Sequence, residues 1–159
     1  MYKTILLTTD GSELAQAAVP HALHLASTAG EATIVGVTVI DTVAQILAQA
    51  SPSGWGYYGG GIAVESAEAA VAAEREEAEG TLAALTAQLE AAGVTVRTCV
   101  IEGHPGTAIV DAAAREHADV IVMATHGRGG LGRAVLGSVA DHVVRHAPCP
   151  VLLVRPPHE

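Results

Sequence analysis

Cysteine, long apolar runs and positive charge are all scarce in this sequence of 159 residues. The two cysteines, Cys99 and Cys149, lie far apart and form no CxxC pair, so we expect no disulfide framework and interpret both as buried small apolar residues. The sequence contains no apolar run of the ~20 residues that a membrane-spanning helix needs. Its first residues carry one lysine, a short apolar run and no small-residue cleavage site, which is not the pattern of a signal peptide. We therefore predict a cytoplasmic protein with no membrane partner.

The formal net charge is −9, because eight basic residues stand against seventeen acidic ones. Glutamate is concentrated in residues 63–92, where the only basic residue is Arg75, and we interpret those glutamates as the solvated face of a helix. Affinity for nucleic acid depends on a basic stripe that neutralises phosphates, so we predict no nucleic-acid partner. A glycine-rich stretch near the C-terminus is the exception, since it carries Arg128 and Arg133 and no acidic residue before Asp141.

Five short apolar runs, most of them β-branched and nearly continuous, predict the strands of a sheet. Continuous runs are typical of strands buried on both faces of a parallel sheet, whereas a sheet with one wet face alternates apolar and polar residues. The length of the chain fits one domain over residues 1–159. The runs cover residues 3–9, 32–40, 94–101, 119–125 and 150–154.

Helical patterns separate these runs. Apolar residues recur at helical spacing from Leu14 to Leu25, over residues 63–92, after Pro105, and from Leu136 to Ala147. The alternation of strand and helix predicts an α/β fold, in which an open parallel sheet has right-handed crossovers. Residues 50–62 fit neither pattern. They are rich in glycine and predict a flexible loop, which either covers a site or is a plain disordered connection.

The stretch after the fourth apolar run predicts an anion site. Glycines let backbone N–H groups approach a ligand without a Cβ in the way, and the start of a helix adds unpaired N–H groups at the positive end of its dipole. Ligands of open α/β sheets bind at the carboxyl ends of the strands, where this stretch lies. Its glycines are Gly127, Gly129, Gly130 and Gly132, and Gly137-Ser138 opens the next predicted helix, with Ser138 as N-cap or hydroxyl donor.

Other motifs fit this sequence less well. A Walker P-loop needs a lysine after its glycines, and none is present. The pattern GxGxxG occurs at Gly127, Gly129 and Gly132, but it follows the fourth strand and the next strand does not end in an acidic residue, so we do not predict NAD. His142 and His146 have the spacing of a metal pair without a third ligand at matching spacing, and no GxSxG motif is present, so we predict neither a metal site nor a catalytic residue.

From end to end, the sequence resembles the universal stress protein family. The segment ILLTTDGSE, residues 5–13, resembles that family's first strand and aspartate turn, and residues 102–156, from EGHPGTAIVD to VLLVRP, resemble its C-terminal half. The nucleotide-binding branch of the family carries a Gly-x2-Gly-x9-Gly-Ser/Thr motif. Gly127 and Gly137-Ser138 match the last elements of that motif, and Ala124 stands where its first glycine is expected.

The resemblance implies a fold, a ligand and a site. The fold is an open five-stranded parallel sheet in the order 3-2-1-4-5 with helices on both faces (adenine nucleotide alpha-hydrolase-like), and its first and fourth strands flank the ligand crevice. The ligand is ATP, ADP or AMP, and Mg²⁺ is held mainly through the phosphates if ATP is bound. The implied binding residues are Thr8, Thr9 and Asp10 on the nucleoside side, Val39 beside adenine, Met123 and Ala124 beneath base and ribose, and Gly127, Arg128, Gly130, Gly137, Ser138 and Val139 around the phosphates.

Three functions remain open from the sequence. The resemblance implies an adenine-nucleotide-binding stress protein, in which the nucleotide is a regulatory or stabilising ligand. It also implies a homodimer through residues 150–154, an apolar edge strand that would be a liability if exposed. The alternatives are a slow ATPase or phosphotransferase using the same pocket, with His126 and Asp10 as the only candidate bases, and a dimerising adaptor that binds no nucleotide. Asp10 itself fits two roles, a ligand contact or a turn former before Ser12.

Overall fold

The computed structural model describes residues 2–50, 60–125 and 136–155. Its strands are β1 (Thr4–Thr8), β2 (Thr33–Ile40), β3 (Thr95–Glu102), β4 (Val120–Ala124) and β5 (Val151–Val154). Its helices are α1 (Glu13–Gln16), α2 (Val19–Ala29), α3 (Val43–Ala50), α4 (Gly60–Ala91), α5 (Pro105–Arg115) and α6 (Ser138–His146).

The five strands form one parallel sheet in the order β3-β2-β1-β4-β5, which confirms the predicted fold class and strand order. Each predicted apolar run coincides with one of these strands, and only β3 extends beyond its run, by one residue, Glu102. In β1, the consecutive residues Ile5, Leu6 and Leu7 are all buried. Because neighbouring side chains of a strand point to opposite faces, both faces of the sheet must be covered there. The edge strand β3 has no fully buried residue, since only one strand flanks it.

Helices cover the two faces of the sheet in separate layers. On one face, Ile5 and Val122 belong to a core cluster with residues of α2 and α4, including Leu85. On the other face, Leu6 and Ile121 belong to a cluster with residues of α5 and α6. The helices that follow β1 and β4 therefore lie on opposite faces of neighbouring strands. Among the described residues, no helix is long and apolar enough to span a bilayer, α4 included.

Two helices differ from the sequence prediction. The segment predicted as the first helix forms two helices, α1 and α2. The break occurs because Pro20 lies in the first turn of α2 and has no N–H group to continue the hydrogen bonds of a preceding helix. Helix α3 was not predicted. Its residues Val43 and Ile46 pack against a small cluster of Ile40 and Val71, so tertiary contacts with β2 and α4 stabilise a segment that is too short to be helical alone.

The predicted loop over residues 50–62 is wrong at both of its ends. Ala50 is the last residue of α3, and residues 60–62 form the start of α4. Two glycines at a helix start each cost about 1 kcal/mol relative to alanine, but extending an existing helix is far easier than nucleating one. Residues 51–59 lie outside the described residues, so the flexibility of this segment stays a prediction.

Thr38 carries a buried hydroxyl group, and this leads to a first prediction. The residue is 6% exposed, and its Oγ1 has no hydrogen-bond partner among the described residues. Thr38→Val replaces the hydroxyl with a methyl group of nearly the same shape. Because an unpaired buried hydroxyl is costly, we expect the free energy of unfolding to rise by about 1 kcal/mol, measured by urea denaturation.

Thr9 offers a matched control for this variant on the neighbouring strand end. It is similarly buried, at 8% exposure, but its Oγ1 accepts a hydrogen bond from Gly11 N at 3.2 Å. Thr9→Val should therefore lower the stability by about 1 kcal/mol. A loss of stability in Thr38→Val comparable to that of Thr9→Val would contradict the prediction.

Candidate functional site

The candidate site lies at the carboxyl edge of the sheet, between β1 and β4. These strands are neighbours, and their following helices lie on opposite faces, which opens a crevice at the strand ends. Gly137 N donates a hydrogen bond to Thr125 O at 3.1 Å, so the start of α6 is tied to the end of β4. Asp10 follows β1 at the same edge. The structure thus brings the end of β1 and the start of α6 to one crevice, as predicted.

The turn after β1 is held by hydrogen bonds at every residue. Thr9 N donates to Val37 O of β2 at 2.9 Å, and Gly11 N donates to Thr9 Oγ1. Asp10 Oδ1 accepts from Ser12 N at 3.0 Å and from Ser12 Oγ at 2.6 Å. Gly11 has φ +77°, a conformation that favours glycine. The turn-forming role of Asp10 is therefore confirmed, and its carboxylate has a defined orientation.

The backbone groups of Val39 point into the crevice. Val37 O accepts from Thr9 N, so the N–H and C=O groups of Val37 face β1. Backbone groups of alternate strand residues face the same side, so those of Val39 also face the β1 side, beyond the point where β1 ends. Ile40 O faces the other way and accepts from Gly103 N at 3.0 Å. Val39 thus presents one donor and one acceptor at the crevice.

The start of α6 has the geometry of an anion site. Gly137, not Ser138, is its N-cap, and no side chain of the described residues caps its first turn. Ser138 is exposed and Val139 is half-buried. The N–H groups of this turn carry the positive end of the helix dipole. They lie beside the end of β4 because of the hydrogen bond between Gly137 and Thr125.

The predicted residues at the ends of β1 and β4 divide between the two faces of the sheet. Met123 is buried in the cluster with α5 and α6. Ala124 alternates with Met123 and shares the face of Val122, so its methyl group points to the opposite side from α6. Thr8 is half-buried, at the end of β1. The extra methyl group of Ala124 therefore lies away from the helix start where phosphates are expected.

Part of the predicted phosphate loop belongs to the undescribed segment 126–135. Gly127, Arg128 and Gly130 lie outside the described residues, and so does His126. The described residues on either side, Thr125 and Gly137, are joined by their hydrogen bond. Phosphate contacts of Gly127, Arg128 and Gly130 stay predictions.

Helix α5 packs closely against α6 at Gly106. A Cβ built on Gly106, in the first turn of α5, would lie 2.8–2.9 Å from Cβ, Cγ and Cδ2 of His142. The rings of His142 and His146 stack with centroids 4.3 Å apart, and His146 Nδ1 lies 2.8 Å from His142 O. Among the described residues, no three histidine, cysteine or acidic side chains are grouped to hold a metal ion. Gly106 was not singled out from the sequence, since its contact joins residues that are distant along the chain.

Polar side chains fasten α3 to the end of β2. Thr42 N and Oγ1 donate to Gln45 Oε1, while Gln45 N donates to Thr42 Oγ1, a reciprocal cap of α3. The amide of Gln45 also lies 3.4 Å from His104 Nδ1, in front of α5. Asp41 N donates to Glu74 Oε2 of α4 at 3.1 Å. These contacts join three helices next to Val39.

Among the described residues, one shifted pKa belongs to the first turn of α6, where hydrogen bonds from Arg145 lower the pKa of the Asp141 carboxyl. Asp119 and the two cysteines, whose pKa values are also shifted, lie away from the crevice. Hydrogen bonds from the backbone of Thr4 and Lys3 lower the pKa of Asp119, which fastens β1 to β4 at the opposite edge of the sheet. Burial raises the pKa of the Cys99 and Cys149 thiols. Both cysteines are half-buried rather than buried as predicted, because each lies on or beside an edge strand of the sheet.

The sequence of the chain matches a known protein family. The family model described as the universal stress protein family matches residues 1–155. Universal stress protein MJ0531 of Methanocaldococcus jannaschii is 34% identical over 157 residues, which cover 99% of this chain and 84% of that protein. A universal stress protein of Thermus aquaticus is 36% identical over 156 residues, covering 98% of this chain and 100% of that protein.

Solved structures share the fold. Protein MJ0577 of Methanocaldococcus jannaschii has a TM-score of 0.82 at 28% identity, and the alignment covers 100% of this chain and 99% of the MJ0577 chain. A universal stress protein in complex with cAMP has a TM-score of 0.65 at 23% identity, with 97% of each chain covered. The protein from Archaeoglobus fulgidus in complex with dAMP has a TM-score of 0.65 at 21% identity, with 96% and 97% covered. The last two likenesses show that the fold is shared.

Proposed function

The chain belongs to the universal stress protein family, and from this premise we propose that it binds an adenine nucleotide in the crevice between β1 and β4. The observation that carries the proposal is the hydrogen bond from Gly137 N to Thr125 O. It places the start of α6, which no side chain of the described residues caps, at the strand ends where the Asp10 carboxylate and the Val39 backbone also lie. An anion-binding group, a carboxylate and a donor–acceptor pair thus occur side by side.

Each part of the nucleotide has a matching group. The N–H and C=O of Val39 suit adenine, whose edge carries a ring nitrogen acceptor and an amino donor. The Asp10 carboxylate, with Thr8 and Thr9 before it, suits the hydroxyl groups of the ribose. The start of α6 suits the phosphates, where we place Gly137, Ser138 and Val139 together with Gly127, Arg128 and Gly130. We place the end of β4, where Met123 and Ala124 point to opposite faces of the sheet, beneath the base and ribose, and Mg²⁺ at the phosphates of ATP.

Relatives of the same fold support an adenine nucleotide as the ligand class. Two of the solved structures are complexes with cAMP and dAMP. Both ligands combine adenine, a sugar and one phosphate, the three parts for which we propose contacts in this chain. For ATP, the further phosphates would extend along the first turn of α6. We propose ATP as the ligand, in the role of a regulatory or stabilising ligand for a stress response.

The proposed assembly is a homodimer of single-domain chains in the cytoplasm. β5 is an edge strand whose residues are apolar and largely half-buried. Pairing of this strand with its copy would cover an edge that otherwise promotes unspecific association. The dimer interface would then lie one strand away from the nucleotide crevice.

Nucleotide binding is tested first on the purified protein. We expect denaturation to release an adenine nucleotide, identified by ion-pair chromatography with mass detection, or else calorimetric titration with Mg-ATP to give a dissociation constant below the millimolar range. Neither released nucleotide nor heat at millimolar Mg-ATP would overturn the proposal and favour the adaptor that binds no nucleotide.

Asp10→Ala is the variant that tests the site. Removal of a charged hydrogen-bond acceptor from the ribose should weaken ATP binding roughly tenfold. Asp111→Ala, which removes an exposed carboxylate of α5 remote from the crevice, is the charge-matched control and should bind as the wild type does. If Asp10→Ala keeps its affinity but loses a measurable ATP turnover, the protein is an enzyme and Asp10 takes part in its reaction.

A further inference from the structure

One hydroxyl group links the Asp10 carboxylate to the first helix. Ser12 Oγ donates to Asp10 Oδ1 at 2.6 Å and accepts from Ala15 N at 3.2 Å, which makes it the N-cap of α1. A serine hydroxyl has a single hydrogen, so donating it to Asp10 leaves the oxygen lone pairs for Ala15. Both contacts therefore fix one rotamer of Ser12.

The same carboxylate oxygen receives a second hydrogen bond from Ser12. Ser12 N donates to Asp10 Oδ1 at 3.0 Å, so two donors of one residue meet at one oxygen. An O–H group that donates to a carboxylate at 2.6 Å forms a strong, charge-assisted hydrogen bond. The side chain of Asp10 is consequently held in place by its neighbour before any ligand arrives.

Two other hydrogen bonds connect this turn to the sheet. Thr9 N is bound to Val37 O of β2, and Gly11 N is bound to Thr9 Oγ1. Within this anchored turn, the Ser12 side chain donates to the Asp10 carboxylate. A preorganised acceptor binds more tightly than a mobile one, because less rotamer freedom is lost on binding.

We propose that Ser12 is a positioning residue for nucleotide binding, which holds the Asp10 carboxylate toward the ribose hydroxyls without touching the nucleotide. This inference rests on the proposed function, in which Asp10 contacts the ribose. Recognition of the sugar then depends on two residues: Asp10 accepts hydrogen bonds from the ribose hydroxyls, and Ser12 fixes the orientation of the Asp10 carboxylate.

Three substitutions of Ser12 separate its two contacts. Ser12→Thr keeps the hydroxyl and both hydrogen bonds. Ser12→Ala loses both. Ser12→Asp keeps an oxygen that caps α1, since aspartate is as good an N-cap as serine, but it cannot donate and it repels the Asp10 carboxylate. A purely structural role through the helix cap predicts that Ser12→Asp behaves as the wild type does.

The readout is calorimetric affinity for two probes, Mg-ATP and Mg-2′,3′-dideoxy-ATP, which lacks both ribose hydroxyls. We expect Ser12→Ala and Ser12→Asp to bind ATP roughly five- to tenfold more weakly, and Ser12→Thr to bind within about twofold of the wild type. Affinity for the dideoxy probe should be unchanged in all three. The preference of the protein for the hydroxylated sugar should thus fall in Ser12→Ala and Ser12→Asp, whose side chains cannot donate to Asp10.

The outcomes distinguish this inference from the proposed function. Full ATP affinity in Ser12→Asp, or an equal loss for both probes, would overturn the positioning role and leave nucleotide binding intact. A wild type that binds ATP and the dideoxy probe equally well would overturn it too. A wild type that binds neither probe would overturn the proposed function and, with it, the role of Ser12.

Discussion

Gly106→Ala should destabilise the protein, although alanine is the better helix former. The new Cβ would lie 2.8–2.9 Å from three side-chain atoms of His142, and one of these is a Cβ that cannot rotate away. Helix α6 must then move relative to α5. Overpacking of this kind costs about 1–3 kcal/mol, and we expect the free energy of unfolding to fall by about 2 kcal/mol.

The same substitution should weaken nucleotide binding. His142 lies four residues after Ser138 and therefore on the same side of α6, one turn from the proposed phosphate contacts. A shift of α6 would stretch the hydrogen bond from Gly137 N to Thr125 O and move the first-turn N–H groups. We expect affinity for ATP to fall roughly tenfold while affinity for adenosine, which has no phosphate, changes little.

Gly80→Ala is the matched control, since it is the same substitution in a helix with free space. Nothing lies within 4 Å of a Cβ built on Gly80, in the middle of α4. This variant should be more stable than the wild type by up to about 1 kcal/mol, because alanine is the better helix former. Urea denaturation and calorimetry measure both variants. If Gly106→Ala were as stable as Gly80→Ala, the close contact of α5 and α6 would not exist in solution.

The strands follow from the sequence because burial dictates residue type. A run such as Ile5, Leu6 and Leu7 has no polar residue on either face, which indicates a strand covered by helices on both sides. The position of the crevice follows from the strand order, since β1 and β4 can be neighbours only where the sheet reverses its winding. The resemblance to a known family supplied that order.

Other features depend on contacts that local sequence patterns do not encode. Helix α3 exists because Val43 and Ile46 find an apolar cluster formed with β2 and α4, which are distant in sequence. The approach of α5 to α6 at Gly106 is a property of two helices packed on a sheet, and a glycine in a first turn gives no sign of it. Ser12 is the opposite case. Its contacts reach only two and three residues along the chain, so the pattern Asp-Gly-Ser already contained the signal.

Leu153→Pro should convert the proposed homodimer into a monomer. Ile121 N donates to Pro150 O and Thr125 N donates to Val154 O, so alternate residues of β5 face β4. By the same alternation, the backbone groups of Leu153 face outward, toward the proposed partner strand. Proline at this position removes an outward N–H group and places its ring at the edge, while the hydrogen bonds to β4 remain.

Across a two-fold axis this loss occurs twice, once in each strand. We expect the dissociation constant of the dimer to rise at least about 100-fold, measured by sedimentation velocity over a dilution series. Leu153→Val is the control, because it keeps the N–H group and introduces a β-branched side chain that suits a strand, and it should remain a dimer. Both variants should bind ATP as the wild type does if the crevice is complete within one chain. A dimeric Leu153→Pro would show that β5 is not the interface, and the apolar edge would then need another explanation, such as cover by residues of the same chain.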